Sequence, residues 1–266
     1  MRETVLFRSP FDRIRQIRQR FAVAALVLPA LAGAADPLAS TTQLVAVTAP
    51  GWDSPRGVLE RYERLQQGTP WRLVGKRVPV MMGRNGLALG EGAPIQARGD
   101  GPAKKEGDKR SPAGLFRIGA VYGAAPASDL DAGRIRMPYR QISEGLECVD
   151  DPASAEYNRI STRQGAAAWK SAENMAELAA REYKWMAVIE QNPSRSPGRG
   201  SCVFLHVGHP ADPTSGCTAL AEEDLIEILQ WLDPDRRPML VQTPAAVYGS
   251  LRAMDGTRLD LPERAR

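Results

Sequence analysis

Phe204-Leu205-His206-Val207-Gly208-His209-Pro210-Ala211-Asp212-Pro213-Thr214-Ser215-Gly216-Cys217-Thr218 is the stretch on which the reading of this chain turns. It holds both histidines of the chain and one of its three cysteines. The apolar run Cys202-Val203-Phe204-Leu205 predicts a short buried strand that delivers His206 to its end, facing a loop. Gly208, Pro210, Pro213 and Gly216 then make a turn-rich connection to Cys217. Beyond the cysteine, Leu225, Ile228, Leu229 and Leu232 recur at helical spacing, with Glu222, Glu223 and Asp224 in the first turn. Cys217 is therefore expected on a Gly-containing turn shortly before a helix. Converging backbone amides of Ser215, Gly216 and Cys217 would favour a thiolate there and hold an oxyanion. His206 supplies a base within reach, because a free thiol with a pKa of ~8.5 is mostly protonated at neutral pH.

His206, His209 and Cys217 also need weighing as zinc ligands. No fourth ligand stands at the usual spacing, and neither Cys-x-x-Cys nor His-Glu-x-x-His occurs, so the sequence calls for no metal and no cofactor.

Upstream, residues 145–200 carry Cys148-Val149-Asp150-Asp151-Pro152 and a helix expected around Trp169–Met175 with Ser171 as its cap. A strand, Trp185–Ile189, and an irregular loop, residues 192–200, follow. Trp169, Met175, Tyr183 and Trp185 read as core or pocket wall. The Gly-rich, charged stretch 90–111 reads as a solvated loop, with a substrate-facing role for it as the alternative. From Trp71 on, short apolar runs (Trp71–Val74, Val78–Met82, Leu115–Ile118) bounded by Gly and Pro predict a largely β domain. Residues 36–68 predict a strand at Gln43–Val47 and an amphipathic helix over 55–67 with Val58, Tyr62 and Leu65 on one face.

The N-terminus has Arg2, Arg8, Arg13, Arg15, Arg18 and Arg20, then an apolar run Phe21–Leu31 that ends at Ala32-Gly33-Ala34. That is the layout of a secretory signal peptide, residues 1–34; the run is too short for a membrane span of ~20 residues. The chain has 35 Lys and Arg against 31 Asp and Glu. The leader takes six arginines and two acids with it, leaving 29 of each sign. A neutral mature chain withdraws support from a nucleic-acid partner. The 266 residues, 43% hydrophobic and 25% charged, are ordinary globular composition.

Thr214-Ser215-Gly216-Cys217-Thr218-Ala219 after a strand ending in His206 resembles the active-site signature of the L,D-transpeptidase (YkuD-like) cysteine enzymes of bacterial peptidoglycan. Ser111-Pro112-Ala113-Gly114-Leu115-Phe116 is similar to a second landmark of that family. With Gly83-Arg84-Asn85-Gly86 and Lys105-Glu106-Gly107-Asp108, the resemblance covers residues 71–243. It departs from the common pattern at Ser215 and Ala219, where many members have His and Arg, and in the short gap from His206 to Cys217.

The resemblance implies a mainly β fold with flanking helices (α+β), a YkuD-like β-sandwich with an inserted helical and loop segment. The layout is then a leader (1–34), an N-terminal strand and helix extension (35–68), a catalytic domain (69–245) and a C-terminal tail (246–266). It implies Cys217 as nucleophile, His206 as general base and acid, and an oxyanion hole of Ser215, Gly216 and Cys217 amides. A backbone carbonyl of Val207 or Gly208 would orient the imidazole. Arg84, Lys105, His209 and Thr214 are substrate-binding candidates. Peptidoglycan stem peptides are the implied partners, in the periplasm of a Gram-negative bacterium.

Export brings an oxidising compartment, where three cysteines allow three pairings. With Cys217 kept free as the nucleophile, the implied bond is Cys148–Cys202. It closes a loop of about fifty residues, worth at most roughly 4 kcal/mol by chain entropy. Acyl transfer through a thioester is the leading expectation. Hydrolysis of the same thioester by a carboxypeptidase or amidase, a non-catalytic wall-binding protein and a zinc hydrolase are the alternatives.

Overall fold

Gln43–Ala49, buried at every residue, forms the first strand, β1, in a computed structural model. The structure describes Met1 and residues 36–264 apart from 94, 97–99, 130, 166–168 and 210. Beyond Met1, the expected leader lies outside the described residues. Side chains of β1 alternate between two apolar clusters, Val45 and Val47 in one, Leu44 and Ala46 in the other. A strand covered on both faces needs the continuous apolar run that the sequence has here.

Residues 55–67 do not form the expected helix. They hold β2 (Arg56–Glu63), antiparallel to β1 on one side and to β3 (Arg72–Met81) on the other. Gly57 lies so close to β1 that a Cβ there would stand 2.8 Å from the Thr48 carbonyl oxygen. Leu65, assigned to the buried face of a helix, is 92% exposed. Glu60 and Arg61 are buried in ion pairs, Glu60 with Arg77 and Arg264, Arg61 with Glu227. Strand partners on both edges outweigh the weak local preference for helix.

β4 (Leu87–Leu89), β5 (Ile95–Gln96) and the long β6 (Ser111–Gly123) follow. β7 (Tyr139–Gln141) precedes an inserted segment of β8 (Leu146–Val149), β9 (Ile160–Thr162), β10 (Ala172–Asn174) and the one-turn α1 (Met175–Leu178). The helix expected from Trp169 is thus displaced: Asn174, not Ser171, accepts the Ala176 and Glu177 amides at its start. Ser171 donates its hydroxyl to Asp150 instead. β11 (Trp185–Ile189), β12 (Phe204–Val207), β13 (Thr218–Leu220) and α2 (Glu222–Trp231) come next. β14 (Met239–Pro244), α3 (Ala245–Tyr248) and β15 (Arg252–Ala253) complete the order.

Strands make up 36% of the chain and helices 11%, so the fold is mostly β, as expected. The main sheet runs β11-β12-β13-β3-β2-β1-β14-β6-β4, and β6 also pairs with β11, so the path closes on itself. Residues 35–68, expected as an extension, supply the middle of this sheet through β1 and β2. In the expected tail, β15 pairs with β5.

The inserted strands form a separate small sheet, β10-β8-β9. Tyr122, Met186 and Phe204 of the main sheet cluster with Cys148, Met175 and Tyr183 from the segment between β7 and β11. The expected disulfide, Cys148–Cys202, ties β8 to the approach to β12, with a Cα–Cα distance of 5.8 Å. On the other side of the main sheet's path, α2 buries Leu225, Ile228 and Leu229, each worth about 1.5–3 kcal/mol relative to exposure.

Candidate active site

His206 and Cys217 come together because β12 and β13 run parallel, with Leu205 opposite Thr218 and His206 opposite Ala219. Side chains alternate along a strand, so Phe204 and His206 on β12 share a face with Cys217 and Ala219 on the neighbouring stretch. The Phe204 amide donates to Cys217 Sγ at 3.3 Å, and Sγ in turn lies 3.4 Å from the Cys202 carbonyl it donates to. Cys217 is the free cysteine, 9% exposed. The strand starts later than expected: Cys202 has φ 53° and gives its amide to Asn158, so only Phe204–Val207 is extended into the ladder.

The imidazole is fixed by the chain itself. His206 Nδ1 is 2.7 Å from the Val207 carbonyl oxygen. A carbonyl only accepts, so Nδ1 carries the proton and Nε2 keeps its lone pair. Burial lowers the His206 pKa, with the Val207 carbonyl and Glu182 acting in the opposite direction. Tyr183 packs edge-on against both β12 side chains, at 5.6 Å from the His206 ring and 5.4 Å from Phe204 between centroids.

Burial likewise pushes the Cys217 thiol up, and the Glu173 charge adds to it; the Phe204 amide and Lys104 oppose. The setting of Cys217 thus favours the neutral thiol over the expected thiolate. The physical reason is burial: Cys217 is 9% exposed, and desolvation disfavours the charged thiolate.

The loop before Cys217 is held rigidly. Thr214 donates its hydroxyl to the Cys217 carbonyl at 2.7 Å and accepts the Gly216 amide at 3.0 Å. That amide is already engaged in this arrangement. Gly216 has φ 149°, a backbone conformation open to glycine. Ser111, the first residue of the second landmark, donates to the same Cys217 carbonyl at 2.7 Å and accepts the Gly83 amide at 2.9 Å. Ala219 lies against Gly208, where a Cβ would come within 2.6 Å of the Ala219 Cβ.

His206 and Cys217 line a cavity of about 320 Å³ with Glu173, Tyr183, Glu182, Gly208, His209, Asp212, Thr214 and Ser215. His209 is mostly exposed at the rim; its Nδ1 accepts the Ala211 amide. Arg84 and Lys105, the other binding candidates, are exposed and not among the cavity's lining residues. The Arg84 amide instead holds the Thr214 carbonyl at 3.0 Å. The stretch 90–111 is less solvated than expected: Lys104 is 6% exposed and ion-paired with Asp108, while Glu106 accepts from Tyr157 and Ser201.

Ser111, Glu173 and Glu182 were not foreseen as site residues, and Tyr183 only as core or wall. Ser111 had a signal, its place in the second landmark; the others sit in a segment without periodicity. Among the described residues no group of three or more His, Cys, Asp or Glu side chains is arranged to hold a metal ion.

A free cysteine and a carbonyl-anchored imidazole on one face of a β-sheet are the parts of a cysteine-nucleophile site. The family model of the YkuD L,D-transpeptidase catalytic domain matches residues 62–247, and the chain belongs to that family of L,D-transpeptidase-type cell-wall enzymes. Searches of curated proteins and of solved structures returned no match.

Proposed function

We infer that this protein is an exported cysteine acyltransferase that acts on peptidoglycan stem peptides through a Cys217 thioester. The observation that carries this reading is the pairing of the one free cysteine with an imidazole whose Nδ1 is tied to the Val207 carbonyl, both lining one cavity. Nε2 takes the thiol proton as sulfur attacks the stem-peptide carbonyl, so a neutral thiol and a neutral imidazole are a competent resting pair. Amides of Ser215 and Cys217, with Gly216 released from Thr214, hold the oxyanion. The imidazolium then protonates the leaving amine as the C–N bond breaks. An acceptor amine attacks the thioester, gives its proton to Nε2, and the sulfur leaves as the thiol.

The closed sheet with its β8–β10 segment is read as the YkuD-type β-sandwich framework with an insertion, and its catalytic domain takes in β1 and β2 together with the matched residues 62–247. Residues 1–34 act as an export signal to the periplasm; the Cys148–Cys202 bond supports an oxidising compartment. Purified protein with a defined tetrapeptide stem tests the reading. Transfer gives two stems joined with loss of D-alanine. Water as the acceptor gives a shortened stem alone and makes the protein a carboxypeptidase or amidase. Full turnover by Cys217→Ala, or loss of turnover with a chelator, would refute the cysteine mechanism.

A further inference from the structure

The thiol and the imidazole do not explain why a buried tyrosine and a half-buried glutamate share their cavity. Tyr183 is 2% exposed, and its ring meets His206 at 76° and Phe204 at 81° between planes. Contact on one edge of the imidazole and the Val207 carbonyl at Nδ1 together leave the ring one orientation. Glu173 lines the same cavity as Tyr183 and its charge acts on the Tyr183 hydroxyl, while Glu173 Oε2 is buried with no hydrogen-bond partner among the described residues. An unsatisfied buried oxygen costs stability, so its retention calls for a use.

Connectivity supplies that use. Glu173 stands opposite Cys148 in the β10–β8 pairing. Cys148 is bonded to Cys202, two residues before Phe204. A closed circuit therefore runs from β12 through the disulfide to β8, across to Glu173 on β10, on to Tyr183, and back to Phe204 and His206. Other titratable groups at the cavity are Glu182 beside Tyr183, and His209 and Asp212 from the β12–β13 loop; Lys104 acts on the thiol from the β5–β6 connection.

We propose that Tyr183 and Glu173 are positioning residues for His206, carried to it by the disulfide-tethered insertion. The Tyr183 ring sets the imidazole plane, and Glu173 acts on that ring through its hydroxyl. The proposal rests on Cys217 and His206 as nucleophile and base, but part of its test is independent of that reading.

The chain has only two histidines, so the ¹⁵N imidazole signals of His206 are resolvable in the purified protein. The unsubstituted protein should show one tautomer, protonated at Nδ1. Tyr183→Ala should show both tautomers, with the imidazole titrating nearer its ordinary value. Tyr183→Phe, which keeps the ring, should keep the tautomer but acylate Cys217 with kcat down about tenfold and KM within about twofold, as should Glu173→Gln. A merely structural role would lower Tm and leave tautomer and kcat of the folded protein unchanged. A folded Tyr183→Ala with the single tautomer would overturn the proposal. Should Tyr183→Ala not fold, parental kcat in both Tyr183→Phe and Glu173→Gln would do the same. If the unsubstituted protein never acylates, the functional reading fails, and the tautomer measurement on Tyr183→Ala, or on Tyr183→Leu should Tyr183→Ala not fold, still decides the positioning role: mixed tautomers support it, and a single tautomer refutes it.

Discussion

His206 and Cys217 are each shifted toward their neutral forms by burial, and that pairing sets the pH behaviour of the site. The folded imidazole pKa lies below its ordinary value of ~6.5, so the base stays neutral into mildly acid solution. The acid limb of the acylation rate should therefore fall below that value, as a rate-against-pH profile would show. Glu173 is shifted the other way, its carboxyl pushed up by burial with Tyr183 acting in the opposite direction. A carboxyl with a raised folded pKa contributes most below its unfolded value of ~4.3 and loses that contribution as pH rises through the folded pKa. Glu173→Gln should thus melt above the parent at pH ~8, with the gap closing toward pH ~4, in paired thermal scans. Ser111→Ala takes the acceptor from the Gly83 amide and leaves the Cys217 carbonyl with Thr214 as its remaining side-chain donor. It should cost about 1–3 kcal/mol by denaturant titration and slow acylation. His206 and Cys217 were legible as site candidates because histidine and cysteine are so scarce in this chain. Tyr183 and Glu173 were not, because their roles depend on β8 and β10 pairing beneath a disulfide, a contact without any local pattern.

At the level of elements, the sequence read strands well where apolar runs were continuous, at Gln43–Ala49 and Trp185–Ile189. It misread residues 55–67, whose apolar spacing fits a helix while its neighbours on both sides demand a strand. Two substitutions separate the readings. Leu59→Ala should cost about 2–5 kcal/mol, since Leu59 is fully buried in the main core, whereas Leu65→Ala at an exposed position should change stability by less than about 0.5 kcal/mol. The Cys148–Cys202 bond reinforces the packing of the inserted segment on β12. Cys148→Ser with Cys202→Ser should lower stability by about 2–4 kcal/mol and reduce acylation more than binding, read as kcat against KM. Equal loss from both would detach the insertion from catalysis.

Across the whole molecule, closure of the sheet through β6 and β11 brings three distant stretches to one point. Ser111 arrives at the start of β6, Tyr183 before β11, and Cys217 before β13. The order of the two family landmarks was readable in the chain as a resemblance over residues 71–243, and the family model matches residues 62–247. The closure, and the central place of β1 and β2 in the sheet, were not readable, because strand partners far apart in sequence leave no periodic trace. Intact-protein mass spectrometry after brief exposure to a stem tetrapeptide tests the central claim most directly. The account predicts a mass gain of the peptide less D-alanine, mapped to Cys217 by digestion and absent from Cys217→Ala. Product formation with no adduct on Cys217, or an adduct on any other residue, would contradict it.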